Sequence, residues 1–287
     1  YPLPYIYTIL VYQGPDYSDI FTFPSRKIEA SNTPRMLPRL AGDHVELIIE
    51  QHLDIEDFDV FLEQTETTSF LVVHEGTLIE ERYLQGNDRE SMQNTFSVSK
   101  SITSAIVGVA LNDGALRLKD SITTLLPELA ERDPRFSEIT LEHLINMRSG
   151  IRFSDDLAFP LINSDSALTY YHPDLLSVVL EKTMIEKAPG DFLYNNYNPS
   201  LTGLMLRRST GITPLEILGK EVWQPMGATL SAGWSVDNEG VERMESGFFA
   251  SAHDLALFGL LYLGHGELHG EQILAETWVL DSTAYTE

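Results

Sequence analysis

The 287-residue chain contains no cysteine, which removes disulfide staples, thiolate-ligated metals and a cysteine nucleophile at once. It leaves the compartment open, because many periplasmic proteins also lack disulfides. There is no G-x-S-x-G elbow, which argues against an α/β-hydrolase, and no S-D-N triplet of the class A β-lactamase pattern. No phosphate-binding glycine loop is present. Positive charge is scarce: 19 Lys and Arg stand against 43 Asp and Glu, a formal net charge of −24. Without a basic patch nucleic acid is repelled, and anionic membrane surfaces are disfavoured on the same grounds. An acidic, well-solvated surface accounts for that charge. No apolar run approaches the roughly 20 residues of a membrane-spanning helix.

What remains is an ordinary globular composition, 43% hydrophobic and 10% aromatic, enough for one large core or two modest ones. Residues 1–41, rich in proline and aromatics, read as an extended N-terminal arm ahead of a domain at 42–287. Two early prolines argue against a helix there. The apolar start YPLPYIYTILVYQG fits either the outer end of a membrane anchor preceding Tyr1 or an arm packed on the domain. A periplasmic or membrane-anchored location outside the cytoplasm is expected over a cytoplasmic one. The oligomeric state is left open.

Val45, Ile48, Ile49 and Leu53 have helical spacing, predicting a helix over Asp43–Leu53. SFLVVHEGTLIEERY is a hairpin, two β-rich runs about His74-Glu75-Gly76. TFSVSKSITSAIVGVALNDG predicts a helix capped by Thr95 or Ser97 and closed at Gly114. Further helical patterns occur at about 140–147, 173–184, 198–209, 213–222, 252–263 and 271–282, while 150–171 reads as loop. Strands first and helices after indicate an α+β fold: an antiparallel sheet flanked by helices, with a mostly helical subdomain. One hairpin cannot make a stable sheet, and few other strands are evident.

The sharpest local feature is Ser97-Val98-Ser99-Lys100. On a helix, positions i and i+3 share a face, so a hydroxyl and an amine can meet. A serine is a poor nucleophile until a base takes its proton. A lysine serves if its pKa drops from about 10.4 towards neutrality, a change of about 4 kcal/mol that partial burial can supply. Ser-x-x-Lys alone is common, and the competing reading is a capping serine followed by a surface lysine. The apolar flank FSVSKSITSAIVGVAL weighs against that reading. Downstream, Tyr194-Asn195-Asn196 offers a phenol that can shuttle protons and an amide that can hold a carbonyl or orient the lysine. A loop tyrosine that merely packs is the alternative.

Together these segments resemble the serine β-lactamase-like superfamily of class C β-lactamases, DD-peptidases, esterases and amidases. The resemblance runs from about Ser69 through FSVSKS, ITLEHLINMRSGI, APGDFLYNNYNPSLTG, VWQPMGA and SGFFASAHDLALFGLLYLGHG, in the family's order. Among branches it looks most like the 6-aminohexanoate-dimer hydrolase type. It implies a β-lactamase/transpeptidase-like fold and a cofactor-free, metal-free hydrolase of small-molecule amides or esters. It implies Ser97 as the acylated nucleophile, Lys100 as its base, Tyr194 as proton relay and Asn196 in substrate binding. The Ser97 backbone N–H would form half of the oxyanion hole. The family's third motif, Lys-Thr-Gly or a His/Trp-x-Gly variant on a late strand, has no match. Lys182-Thr183-Met184 lacks the glycine and lies in a helical run, and Gly264-His265-Gly266 matches a turn between helices. A domain lacking its C-terminal strands is therefore expected. The rival class is a non-catalytic binding or penicillin-sensor-like domain on the same fold.

His265 and His269 mimic a metal pair, but the glycines at 264, 266 and 270 deny them a helix. Asp155-Asp156 reads as a solvated loop that borders a cleft.

Overall fold

The computed structural model describes residues 2–12, 14–40, 45–155 and 164–285. Its main sheet has four short antiparallel strands in the order β1 (Ser25–Ile28), β5 (Ala232–Ser235), β6 (Phe248–Ser251), β4 (Met92–Asn94). The expected hairpin forms separately from β2 (Ser69–His74) and β3 (Thr77–Tyr83), turning at Glu75-Gly76 with both residues at positive φ. The α+β layout is as expected, yet β4, β5 and β6 were not among the recognisable strands.

Helix Ser99–Asn112 supplies much of the core. Ile102, Ala105, Ile106, Val107 and Ala110 are buried along it, and it packs against Tyr197–Thr210 and Pro214–Leu218. In the sheet, Trp234 and Trp223 both meet Phe248 edge-on, with ring centroids 5.2 Å and 5.5 Å away. The core therefore lies between the sheet and this helix, and the start of the helix emerges where β4 ends. Helices Tyr197–Thr210 and Ala252–Leu263 match their predicted ranges, and Gly211 ends the first at φ +76°; the helix expected at 271–282 begins only at Glu276, because Glu271–Gln272 pairs as a short strand. The helix predicted from Asp43 spans Val45–Leu53, with residues 43 and 44 outside the described ones.

Three expectations need correction. Residues 1–41 are not an extended arm. Leu3–Tyr12 is helical, with Tyr5 and Ile9 buried one turn apart. The prolines at 2 and 4 stand at its start, where the missing N–H groups would have no helical partner anyway. Ser25–Ile28 then joins the sheet by pairing with Ala232–Ser235, so the segment is part of the domain. Within the predicted loop 150–171, Asp165–Tyr171 is a helix, capped by the Ser164 hydroxyl; residues 156–163 lie outside the described residues. Neither Thr95 nor Ser97 caps Ser99–Asn112 through its side chain, because a tight turn at Phe96–Val98 intervenes.

Two positions test the packing. Gly108 faces Trp278, whose Nε1 donates to the Ser104 carbonyl at 3.0 Å, and an added Cβ would fall 2.2 Å from Trp278 Cδ1. Gly108→Ala should destabilise by about 1–3 kcal/mol from overpacking, despite the better helix propensity of alanine. In a Trp278→Ala background the same change should become neutral or stabilising in denaturant melts. The buried Asp254 carboxylate accepts the Thr229 N–H at 2.7 Å, the Leu230 N–H at 3.0 Å and the Ser251 hydroxyl at 3.0 Å. Burial pushes this carboxyl up, but His253 and the Thr229 and Leu230 donors outweigh it and hold it below the ordinary 3.8. A depressed folded value contributes stability above the unfolded value, lost as pH falls through the folded one. Asp254→Asn should therefore cost about 2 kcal/mol at pH 7, with the gap to wild type closing below pH 3.8 in thermal melts.

Candidate active site

Ser97 sits in the Phe96–Val98 turn, two residues before the first residue of the long helix. Phe96 adopts φ +46°, a left-handed conformation costly for a bulky residue, and its N–H donates to the Asn94 side chain at 3.3 Å. The end of β4 thus holds the turn that presents Ser97.

Lys100 lies in the first helical turn. Its Nζ donates to Ser97 Oγ at 3.2 Å and to the Glu245 backbone carbonyl at 2.7 Å. The Tyr194 hydroxyl donates to the same Ser97 oxygen at 2.9 Å, and the Lys100 ammonium stands 4.9 Å from the Tyr194 ring centroid. The three predicted side chains therefore converge on one hydroxyl. Asn196, also singled out, lines the same pocket; its Oδ1 is buried without a hydrogen-bond partner.

The Tyr194 loop is held to residues 147–151. Leu193 N–H donates to the Met147 carbonyl at 2.8 Å, and Gly190 N–H to the Arg148 carbonyl at 2.9 Å. Asn195 Nδ2 reaches the Ile151 carbonyl at 2.9 Å, while the Ser149 hydroxyl donates to Asn198 Oδ1 at 2.7 Å. Gly150 is required here: φ is +71°, and a Cβ would lie 2.2 Å from the Lys187 carbonyl oxygen.

The pocket beside Ser97 has a volume of about 480 Å³ and is walled by Gly14, Pro15, Asp155, Tyr170, Tyr171 and Glu245, among others. Asp155 accepts the Ser166 hydroxyl; its neighbour Asp156 lies outside the described residues. Gly14 and Pro15 bring the N-terminal segment to the pocket wall, a placement the sequence did not suggest. Glu245 was missed as well, although it stands immediately before the SGFFAS run. Its side chain is 1% exposed, and burial pushes its carboxyl up in spite of Arg243 and Lys100. Elsewhere, Thr183 accepts Arg132 Nη2 at 2.7 Å, and His265, just ahead of the small hairpin Glu267–Gln272, and His269, in its turn, both have positive φ.

This arrangement agrees with the family comparison, in which the Beta-lactamase family model matches residues 56–287. The chain belongs to that family. A curated relative, the 6-aminohexanoate-dimer hydrolase of Paenarthrobacter ureafaciens, is 25% identical over 240 residues. That match covers 78% of this chain but 59% of the relative's length. A Bacillus anthracis structure assigned to the 6-aminohexanoate-dimer hydrolase type superposes with a TM-score of 0.81 at 22% identity, covering 90% of this chain and 70% of that one. A penicillin binding protein from Bacillus halodurans gives 0.61 at 17% identity, covering 77% and 76%. Both structures share the β-lactamase and penicillin-binding fold of this family member.

The buried hydroxyl of Ser99 is the seam on which this β-lactamase-family site is mounted: it accepts the Phe248 N–H at 3.0 Å and lies 3.3 Å from Thr95 Oγ1. Ser99→Ala should cost about 1–3 kcal/mol, the penalty for leaving a buried donor unpaired. Ser99→Thr, which restores an oxygen, should recover part of it in urea melts.

Proposed function

We propose that this protein is a serine hydrolase that cleaves amide or ester bonds through an acyl-enzyme on Ser97. The observation that carries the reading is the convergence of Lys100 Nζ and the Tyr194 hydroxyl on Ser97 Oγ, at 3.2 Å and 2.9 Å. A nucleophile with two proton-handling groups in hydrogen-bond reach is the arrangement acyl transfer requires.

In the reaction, Ser97 Oγ attacks the substrate carbonyl carbon as its proton passes to whichever neighbour, Lys100 or Tyr194, is unprotonated. The developing oxyanion is held by the Ser97 backbone N–H, at the entry of the long helix. Tyr194 is 48% exposed and stands on the open side of Ser97, suited to pass a proton to the departing amine or alcohol. Water then enters by the same side and attacks the acyl carbon as it loses a proton to the Lys100–Tyr194 pair; the bond to Ser97 Oγ breaks, the pair returns the proton to that oxygen, and the acid departs. Lys100 is fixed from behind by the Glu245 carbonyl, so its reach is set by the turn that precedes Phe248–Ser251 and not by its own flexible stem. Asn196 orients the acyl group from the pocket side. A substrate indication comes from the Paenarthrobacter relative, a 6-aminohexanoate-dimer hydrolase.

Incubation with an activated ester should give a transient mass adduct that Ser97→Ala abolishes. Tyr194→Phe and Lys100→Ala should each lower kcat/KM by about 10²–10⁴, mainly in kcat, as expected for lost proton transfer. A permanent adduct would instead indicate a sensor, and absence of any adduct a bare binding domain.

A further inference from the structure

The walls of the Ser97 pocket come from remote parts of the chain, and one buried carboxylate ties two of them together. Asp19 is 3% exposed. Its Oδ2 accepts the Tyr170 hydroxyl at 2.6 Å and the Asp16 N–H at 2.9 Å. Tyr170 lines the pocket, and Asp16 directly follows Gly14 and Pro15, which line it too. The network continues inward. Asn94 Nδ2 donates to Tyr170 Oη at 3.4 Å, and Asn94 Oδ1 accepts the Phe96 N–H at 3.3 Å, in the turn that presents Ser97. A chain of hydrogen bonds thus runs from the nucleophile's turn to the N-terminal segment. The hydrolytic reaction employs none of Asn94, Tyr170 and Asp19.

We propose that Gly14 and Pro15 form the specificity-determining wall of the acyl pocket, limiting the length of an aliphatic acyl chain, with Asp19 as the residue that positions this wall. The inference deepens the serine-hydrolase reading and rests on it for the reaction. Tyr194, which serves the leaving group, is not among the residues lining the cavity, so the acyl portion takes it. Pro15 is exposed and Gly14 half-buried, so a chain in the cavity can reach both. Among the described residues lining it Lys100 is the one basic group, and it is engaged with Ser97 and the Glu245 carbonyl. Asp155 is exposed on the same cavity, so an anionic chain end is repelled and an apolar one is not. At about 480 Å³ there is room for a short chain.

The wall is anchored on both sides. Upstream, Leu3–Tyr12 packs on Asp165–Tyr171 with Tyr5 and Ile9 buried. Downstream, Phe23 meets Tyr170 edge-on at a centroid distance of 5.6 Å, and the Pro24 carbonyl accepts the Val236 N–H at 2.8 Å. Between these anchors, Asp19 joins the segment to Tyr170. Without its carboxylate the Tyr170 hydroxyl and the Asp16 N–H lose their shared acceptor, and the wall is free to give way.

The test measures kcat/KM for p-nitrophenyl butanoate, hexanoate, octanoate and decanoate. In the wild type each methylene that the cavity covers should add about fourfold, and the gain should end before decanoate. Pro15→Gly, which removes an exposed ring, and Asp19→Ala should each raise the decanoate-to-butanoate ratio by about tenfold, the value of nearly two more covered methylenes. Tyr170→Phe keeps the ring, removes the same hydrogen bond and should shift the ratio the same way. Asp19→Asn, whose amide oxygen can accept from both donors, should keep the wild-type ratio. Both rates come from one preparation, so the ratio is insensitive to partial misfolding.

An even gain through decanoate in the wild type overturns the proposal, as does a Pro15→Gly ratio indistinguishable from the wild type. A ratio unchanged in Asp19→Ala and Tyr170→Phe, or shifted equally in Asp19→Asn, overturns the role of Asp19. A binding arm separates this from failure of the hydrolytic reading. N-methylbutanamide, N-methylhexanamide and N-methyldecanamide are titrated by NMR against Ser97→Ala and Ser97→Ala/Pro15→Gly proteins. A gain for decanamide over hexanamide that appears only with Pro15→Gly supports the wall even if no ester turns over. The same chain-length dependence in both proteins overturns it.

Discussion

The contact on which the rest of the site depends is the one between Lys100 Nζ and the backbone carbonyl of Glu245. It is part of a seam. Ser99, Lys100 and Thr103, from the first turns of one helix, reach Phe248, Glu245 and Met244 respectively, at 3.0, 2.7 and 3.4 Å. The seam sets helix and sheet at a fixed distance and satisfies polar groups that would otherwise be buried unpaired. A lysine on an apolar helix needs such a partner, because an unpaired ammonium in that setting would cost several kcal/mol. The carbonyl meets the need without supplying a full negative charge.

The Glu245 side chain follows the same logic. The residue gives its backbone to Lys100 and keeps its carboxyl buried beside Ser246, where ionisation is disfavoured. Were that carboxyl exposed, it would become the counter-ion that the backbone arrangement avoids. It is the backbone of this residue, and not its carboxyl, that Lys100 meets.

How much of this was legible in the chain depended on the length scale of each signal. Tyr197–Thr210 and Ala252–Leu263 carry several turns of apolar spacing, so tertiary packing had little to override. The hairpin announced itself by two β-rich runs around a glycine. β5 and β6 did not: each is four residues long and buried at every position, so the two-residue alternation that marks a strand is absent. Their partners are remote, as with Ser25 opposite Ser235. The Leu3–Tyr12 helix was misread because prolines were taken as breakers without regard to position, although the first turn tolerates them. At the site, Ser97, Lys100, Tyr194 and Asn196 stood out because each belongs to a short motif with a chemical reason for its spacing. Glu245 carries no such mark. One acid among 43 acidic residues acquires its character only from the burial that folding imposes.

The site also divides rigidity from access. Ser99, Thr103 and Glu245 are all but fully buried, while Tyr194 is half exposed on a loop. If all three reacting groups lay in the seam, the pocket would be dry and closed, and neither a leaving group nor water could pass. If all lay on loops, the 2.9 Å and 3.2 Å contacts at Ser97 would be averaged away by motion. Fastening Lys100 to the core, with Ser97 in the turn just ahead of it, and bringing the phenol in on a loop buttressed by residues 147–151, meets both demands. That buttress explains why Gly150 and Asn195, which touch no reacting atom, are placed as tightly as the residues that do.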